Sequence, residues 1–335
     1  MDALPDDSAA RREGLEDWAG EQQRINPPRG QVALRTSLAH LRNWLWRLSY
    51  IRSRWPRPLG TRPPIGLAVC AIFRDEARYL AEWVSFHRVQ GVERFYLYDN
   101  RSSDDWRTEL EPEIAAGIVE VVRWPFVPGQ RSAYADCIER HRNDARWIAF
   151  IDIDEFLFSP TGKPLPEILR GFDTRPGVVV NRRTYGTNGW EQPPDGLVTE
   201  NYLWRDVDEY TGNGWVKSII NPRSAVGWTG AHQFQLRGKP VGEDRRPAGE
   251  VVRVANTTDL LRINHYFTRS AEEFRRKAVR PDVQMGAIRD HSVPVDAIRD
   301  AIILQFGSEL RAVLASRVAD RSSPGGTGSI AISSK

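Results

Sequence analysis

Residues 65–73 read IGLAVCAIF. Nine uncharged residues are short for a buried helix and the right length for a strand covered on both faces. The flanking text decides what sheet such a strand joins. After it, Leu80, Trp83, Val84 and His87 recur at helical spacing, with Asp75 placed to cap the helix and Gly91 ending it. Residues 92–98 (VERFYLY) form a second, aromatic strand. Asp104 and Asp105 open another helical stretch, which Gly117 closes, and 118–124 (IVEVVRW) is a third strand. A helix over 129–144 carries Cys137 on its apolar side, and 146–151 (RWIAFI) is a fourth strand. This rhythm predicts an α/β domain with a doubly wound, mainly parallel sheet and right-handed crossovers. Ligands of such sheets lie beyond the carboxyl ends of the strands.

Three polar clusters follow those ends. They are Arg74-Asp75-Glu76, the run from Asp99 and Asn100 to Asp104, and Asp152-Ile153-Asp154-Glu155. So acidic a cleft repels a bare diphosphate unless a divalent cation lies between. In an extended segment, positions two apart face the same way. Asp152 and Asp154 are therefore expected to share one metal, with Ile153 anchoring the segment from behind. The plainer alternative is a strand end with exposed acids meeting a turn. Against it, three acids wedged between WIAFI and FLF would be costly to bury without a counter-charge.

The segment FRDEARYLAEWVSFHRVQGVERFYLYDNRSSDD (73–105) resembles the N-terminal signature of glycosyltransferase family 92. WIAFIDIDEFLF (147–158) is similar to that family's D-x-D-E-F element, and RINHYFTRSAEEFRRKAVR (262–280) to its late H-Y-x-x-[KR]-S-x-x-E-F segment. The likeness is ordered and runs from residue 65 to about 280. It implies a GT-A fold, a nucleotide-sugar donor (UDP- or GDP-linked), a divalent metal and inversion at the anomeric carbon. By the same resemblance, Phe73, Arg74, Asp75 and Glu76 form the turn that holds the donor's base, here with Arg-Asp-Glu where many relatives have Lys-Asn-Glu. Asp99, beside Asn100, accepts from the base edge. Asp152 takes the ribose or the metal, and Asp154 the metal and diphosphate. Lys217 matches a family cation that neutralises the diphosphate, and Glu200 matches a middle-region acid. Glu155 points away from the other two acids and holds an Arg.

Of six histidines, His40 and His291 read as incidental, His141 as exposed on a helix, and His87 as a packed, hydrogen-bonded core residue. His265 and His232 follow strand-like text, and a late histidine often ligates the metal in GT-A enzymes. His265 is the expected ligand, with His232 on acceptor or donor phosphate. A nitrogen ligand favours Mn²⁺ over Mg²⁺, and an ordinary imidazole titrates near 6.5. Inverting transfer needs a carboxylate to take the acceptor's proton. The candidates are Glu191, Asp195, Glu200, Asp206, Asp208 and Glu209, with Glu200 preferred. Tyr185, Trp190, Tyr202, Trp204, Tyr210, Trp215 and Trp228 crowd one loop-rich stretch, where rings either stack on sugars or fill an irregular core. The expected function is glycosyl transfer to a glycan or other hydroxyl acceptor. A GT-A-shaped binding protein is the alternative.

The rest of the 335 residues frame this domain. A formal charge of +3 argues against a dedicated nucleic-acid binder. Two cysteines exclude a disulfide scaffold and point to a reducing compartment, the cytoplasm. Residues 1–64 form an acidic tail, an Arg-rich helix and a Pro-rich linker; 65–320 form the main domain; 321–335 are a Gly/Ser-rich tail. Leu34, Leu38, Leu41, Leu45 and Leu48 give the helix over 31–52 one apolar stripe. Either it docks on the domain or it lies on the inner face of the plasma membrane.

Overall fold

The computed structural model describes residues 63–228, 234–248, 257–278 and 294–322. The helix expected over 31–52, His40, His232 and His291 lie outside these residues. In chain order the first half runs β1 (Ile65–Phe73), α1 (Ala77–Val89), β2 (Arg94–Asp99), α2 (Trp106–Ala115), β3 (Val119–Arg123), α3 (Gln130–His141) and β4 (Ala145–Phe150). The second half runs β5 (Glu155–Phe158), α4 (Leu165–Arg170), β6 (Gly177–Thr184), α5 (Val198–Asn201), β7 (Trp204–Arg205) and β8 (Val216–Ile220). It continues through β9 (Ala225–Trp228), β10 (Phe234–Leu236), β11 (Arg262–His265), α6 (Ala271–Ala278), β12 (Ile298–Arg299) and α7 (Gly307–Ser322).

Eight strands form one sheet in the order β3-β2-β1-β4-β8-β6-β11-β5, with small pairs β9–β10 and β7–β12 beside it. Alternation along β1 divides the core in two. Leu67, Val69, Ala71 and Phe73 pack on one face with Leu80 and Trp83 of α1 and Leu110 of α2. Ala68, Cys70 and Ile72 pack on the other with Ala133, Tyr134 and Cys137 of α3. The chain first steps outward from β1 to β3, then returns past β1 to lay β4 on its other side. A right-handed crossover that reverses direction must change faces, so α3 lies opposite α1 and α2. The switch point, where ligands of such sheets collect, falls between β1 and β4.

The α/β expectation holds, and β1 to β4 are parallel throughout. The second half is mixed rather than mainly parallel. β8 runs antiparallel to both β4 and β6, and β5 runs antiparallel to β11. Between residue 158 and the final helix, the described helices are short and irregularly spaced, which gives no crossover rhythm to read.

Two histidines differ in how far sequence placed them. His87 is the buried core residue expected, with Nδ1 2.8 Å from the Trp83 carbonyl and Nε2 accepting from the Leu157 amide at 3.1 Å. That pattern fixes a neutral tautomer, and burial lowers the imidazole to about 3. His141, expected to be exposed, is buried: it stacks on Tyr96 at 3.6 Å and pairs with Asp144 at 2.9 Å. A ring at a helix end can fold back onto a neighbouring strand, which helical spacing does not reveal.

Candidate active site

The loops after the first three strands are tied to one another. Asp75, expected to cap α1, has φ 55° and instead accepts from the amide and hydroxyl of Ser103. Asp104, expected at the start of α2, accepts from the Ala77 amide at 2.7 Å and so caps α1. Asp99 accepts from the Ser102 amide, closing its own turn. The Asn100 amide group donates to the carbonyls of Trp124 and Phe126, which fastens the third loop. Gly129 allows that approach, since a Cβ there would lie 2.5 Å from the Phe126 carbonyl oxygen. Phe73 packs edge-on against Trp106 in the core, whereas Arg74 reaches solvent.

The second feature is the turn after β4. Residues 152–154 are not extended: the Glu155 amide donates to the Asp152 carbonyl at 3.1 Å, and the Asp152 amide donates to the Glu155 carboxylate at 3.0 Å. The alternation argument therefore fails, and the two aspartates take different partners. Asp152 meets Lys217 Nζ at 2.5 Å and Gln130 Nε2 at 2.9 Å. Glu155 is fully buried, 3.2 Å from Lys217 and 3.6 Å from Arg182, which is the arginine contact expected of it. Burial raises the Glu155 carboxyl to about 7 despite Lys217. Burial opposes charge on Lys217, but Asp152 and Glu155 outweigh it and hold its ammonium above the ordinary value. Lys217 is thus a buried counter-ion to two carboxylates of its own chain.

Asp154 belongs to another set. Antiparallel register opposes His265 to Glu155, and the Tyr266 amide donates to the Asp154 carbonyl at 2.8 Å. His265 Nε2 therefore comes within 3.6 Å of Asp154 Oδ1, while Lys277 of α6 holds Oδ2 at 2.5 Å. Burial works against ionising Asp154, yet Lys277, then His265 and Arg269, hold its carboxyl well below the usual range. Burial, aided by Arg182, lowers His265 to about 4, not the 6.5 of an ordinary imidazole. Arg269 joins this cluster to the β1 loop: it donates to Glu76 at 2.7 Å and lies over the Tyr79 ring at 3.6 Å. Burial raises the Glu76 carboxyl, and Arg269 works against that rise.

Helix α1 holds β5 in place from behind. Trp83 Nε1 donates to the Glu155 carbonyl at 2.8 Å, beside the His87–Leu157 bond. Glu82 is buried and accepts from the Val198 and Thr199 amides and the Thr199 hydroxyl. The E-W-x-x-x-H motif is therefore a brace that seats the acidic turn.

The structure thus gathers Glu76, Asp152, Asp154, Glu155, Lys217 and His265, linked by Arg182, Arg269 and Lys277. Glu200 is on the helical layer, where Arg311 of α7 donates to it at 2.8 Å. Sequence reasoning passed over Gln130, Arg182, Arg269 and Lys277. These polar residues are scattered over two helices, a strand and a loop without a local mark, and only long-range pairing brings them to the acids. Among the described residues, no three His, Cys, Asp or Glu side chains are gathered to hold a metal by themselves. Asp154 Oδ1 and His265 Nδ1 are, however, buried without a hydrogen-bond partner in the protein. A carboxylate oxygen beside a neutral imidazole fits a divalent cation, with the second oxygen of Asp154 held by Lys277 much as Asp152 is held by Lys217.

Comparison with known proteins identifies the family. The model of glycosyltransferase family 92 matches residues 64–289. The chain belongs to glycosyltransferase family 92. A family 92 protein of Ricinus communis is 31% identical over 67% of this chain and 40% of its own length. A family 92 protein of Oryza sativa is 35% identical over 42% of this chain and 24% of its own. The chain thus spans well under half of these family 92 relatives. Among solved structures, S. aureus TarS 1–349 in complex with UDP aligns over 47% of each chain at 15% identity and a TM-score of 0.33, too slight a likeness to build on. No helix among the described residues of this family 92 chain is long and apolar enough to cross a membrane.

Proposed function

We propose that this domain moves a sugar from a UDP- or GDP-sugar to a hydroxyl of a glycan, with inversion, in the cleft beyond β1 and β4. The observation that carries the reading is the approach of His265 Nε2 to Asp154 Oδ1 at 3.6 Å, with Asp154 Oδ1 and His265 Nδ1 buried and without a hydrogen bond in the protein. These two residues would hold a divalent cation, Mn²⁺ in preference to Mg²⁺ because one donor is nitrogen. Bound there, the cation would offset the charge of the leaving diphosphate.

The chain's own groups supply the rest. The tied loops around Asp75 and Asp99 form a rigid rim for the donor's base, so little order is lost on binding. Lys217 and Arg182 keep Asp152 and Glu155 compensated, which leaves Asp154 to face the ligand. Trp190, Trp204 and Trp215 are 41%, 43% and 45% exposed and offer ring faces to acceptor sugars. Glu200, preferred from sequence as the base, lies apart from this cluster, paired with exposed Arg311, and has no part in the proposed chemistry.

Thermal shifts against a panel of nucleotides, with and without Mn²⁺, test the reading. A rise in Tm with UDP or GDP that needs Mn²⁺ is expected. No shift with any nucleoside diphosphate would sink the proposal.

A further inference from the structure

The loop from β11 to α6 holds buried hydrogen-bond donors that its own chain does not use. Thr268 is 1% exposed, and its hydroxyl has no partner in the protein. Arg269 is 8% exposed; Nη1 serves Glu76, whereas Nε and Nη2 have none. Buried polar groups are nearly always paired, so three such atoms on adjacent residues call for an explanation. The backbone adds another sign, because Arg269 has φ 51°. A non-glycine residue held in the left-handed region is a strained one, and such strain persists where the surroundings fix it.

Ordinary roles for these atoms are already filled by others. The start of α6 is closed by a capping box, with the Ser270 hydroxyl donating to Glu273 and accepting from its amide. The Ala271 and Glu272 amides donate to the Trp190 and Glu191 carbonyls. Thr268 and Arg269 are therefore not needed to end the helix. Their position is bracketed by the site. His265 lies three residues before Thr268, and Glu76 at the end of the β1 loop is held by Arg269. The Lys277 ammonium on Asp154 also donates to the Phe267 carbonyl at 3.2 Å. A hydroxyl and two guanidinium N–H groups beside an ammonium suit the oxygens of a phosphate, for which arginine offers a planar fork.

We infer that Thr268 Oγ1 with Arg269 Nε and Nη2 binds the diphosphate of the donor, a role the family resemblance implies for Lys217. The inference rests on the proposed nucleotide-sugar chemistry and adds the residues that hold the leaving group. Lys217 is spent on Asp152 and Glu155, whereas this loop has donors to spare.

Thr268→Val tests it sharply, because it deletes a hydroxyl with no protein partner and keeps the side chain's shape. Arg269→Lys keeps the charge on Glu76 but loses the fork. Titration calorimetry with Mn²⁺ would compare UDP with uridine, and GDP with guanosine. Each variant should weaken the diphosphate by about tenfold or more, the worth of a hydrogen bond to a charged group, while nucleoside binding stays the same. The Tm of Thr268→Val without ligand should match the wild type. Diphosphate binding unchanged in both variants overturns the inference while leaving the proposed function standing. A Tm for Thr268→Val lowered by several degrees also overturns it, since the hydroxyl would then serve the fold. A wild type that binds neither UDP nor GDP removes the function and the inference together.

Discussion

Replacing Lys217 by Met separates two roles for one side chain. If Lys217 were a ligand-facing cation, its loss would weaken donor binding and spare the fold. The structure instead buries it to 1% exposure between Asp152 at 2.5 Å and Glu155 at 3.2 Å. Removing one partner of a buried ion pair costs about 3–5 kcal/mol, because the other charge is left uncompensated. Asp152 is one-third exposed, so water screens its share and the lower end applies, about 3 kcal/mol. For a domain of this size that lowers Tm by roughly 6–12 °C. The loss should depend on pH. Glu155 is raised to about 7 with Lys217 present and should rise further without it. Below pH 6 the acid is neutral in both proteins and the lysine is missed less, whereas at pH 8 the variant must either bury a lone charge or hold the acid protonated at a cost. Urea and thermal unfolding at pH 6 and pH 8 would measure both effects. Adding Glu155→Gln should recover part of the stability and flatten the pH dependence. Full stability of Lys217→Met at pH 8 would refute the counter-ion assignment.

Glu82→Ala strands two buried amides and a hydroxyl at α5, and should cost about 2–4 kcal/mol in urea unfolding, whereas an intact variant would show the brace to be dispensable. His87 and His265 are lowered to about 3 and 4 from 6.5, so the unfolded chain binds more protons in that window. Their contribution is complete above 6.5 and is lost as pH falls toward 4; the drop in urea midpoint from pH 7 to pH 5 should shrink in His87→Leu, and an equal drop contradicts the assignment. If residues 31–52 lie on membrane, the protein should sediment with anionic liposomes in a salt-sensitive way. Sedimentation that survives deletion of residues 1–55 assigns the contact elsewhere.

Local text carried the first half of the domain well. The strand from Ile65 to Phe73 has the bounds its apolar run predicts, and β2 to β4 follow within a few residues. Each has an apolar repeat bounded by a glycine or a polar loop, and those are local signals. Asp154 and His265 were also legible, through an acidic element after a strand and a late histidine. The directions of His87 and Glu155 were legible too, but those of Asp152, Lys217 and His141 were not. Asp152 and Asp154 were expected side by side, but the turn closed by Glu155 parts them. Lys217 was taken to face ligand because nothing in GWVKSI reveals that Val216–Ile220 pairs antiparallel with β4 beside Asp152. Arg269 and Lys277 stand in the charge-rich segment RSAEEFRRK, whose text does not say which of its cations reach the acids. They reach the acids only because β11 runs between β6 and β5, a pairing across more than a hundred residues.

Release of nucleoside diphosphate from UDP- and GDP-sugars with Mn²⁺, by the wild type and by Asp154→Asn, tests the central claim most directly. The wild type should release it from at least one donor. Asp154→Asn should lose nearly all of that release, with circular dichroism and Tm showing a folded domain. Release by Asp154→Asn at the wild-type rate, or by neither protein from any donor, would contradict it.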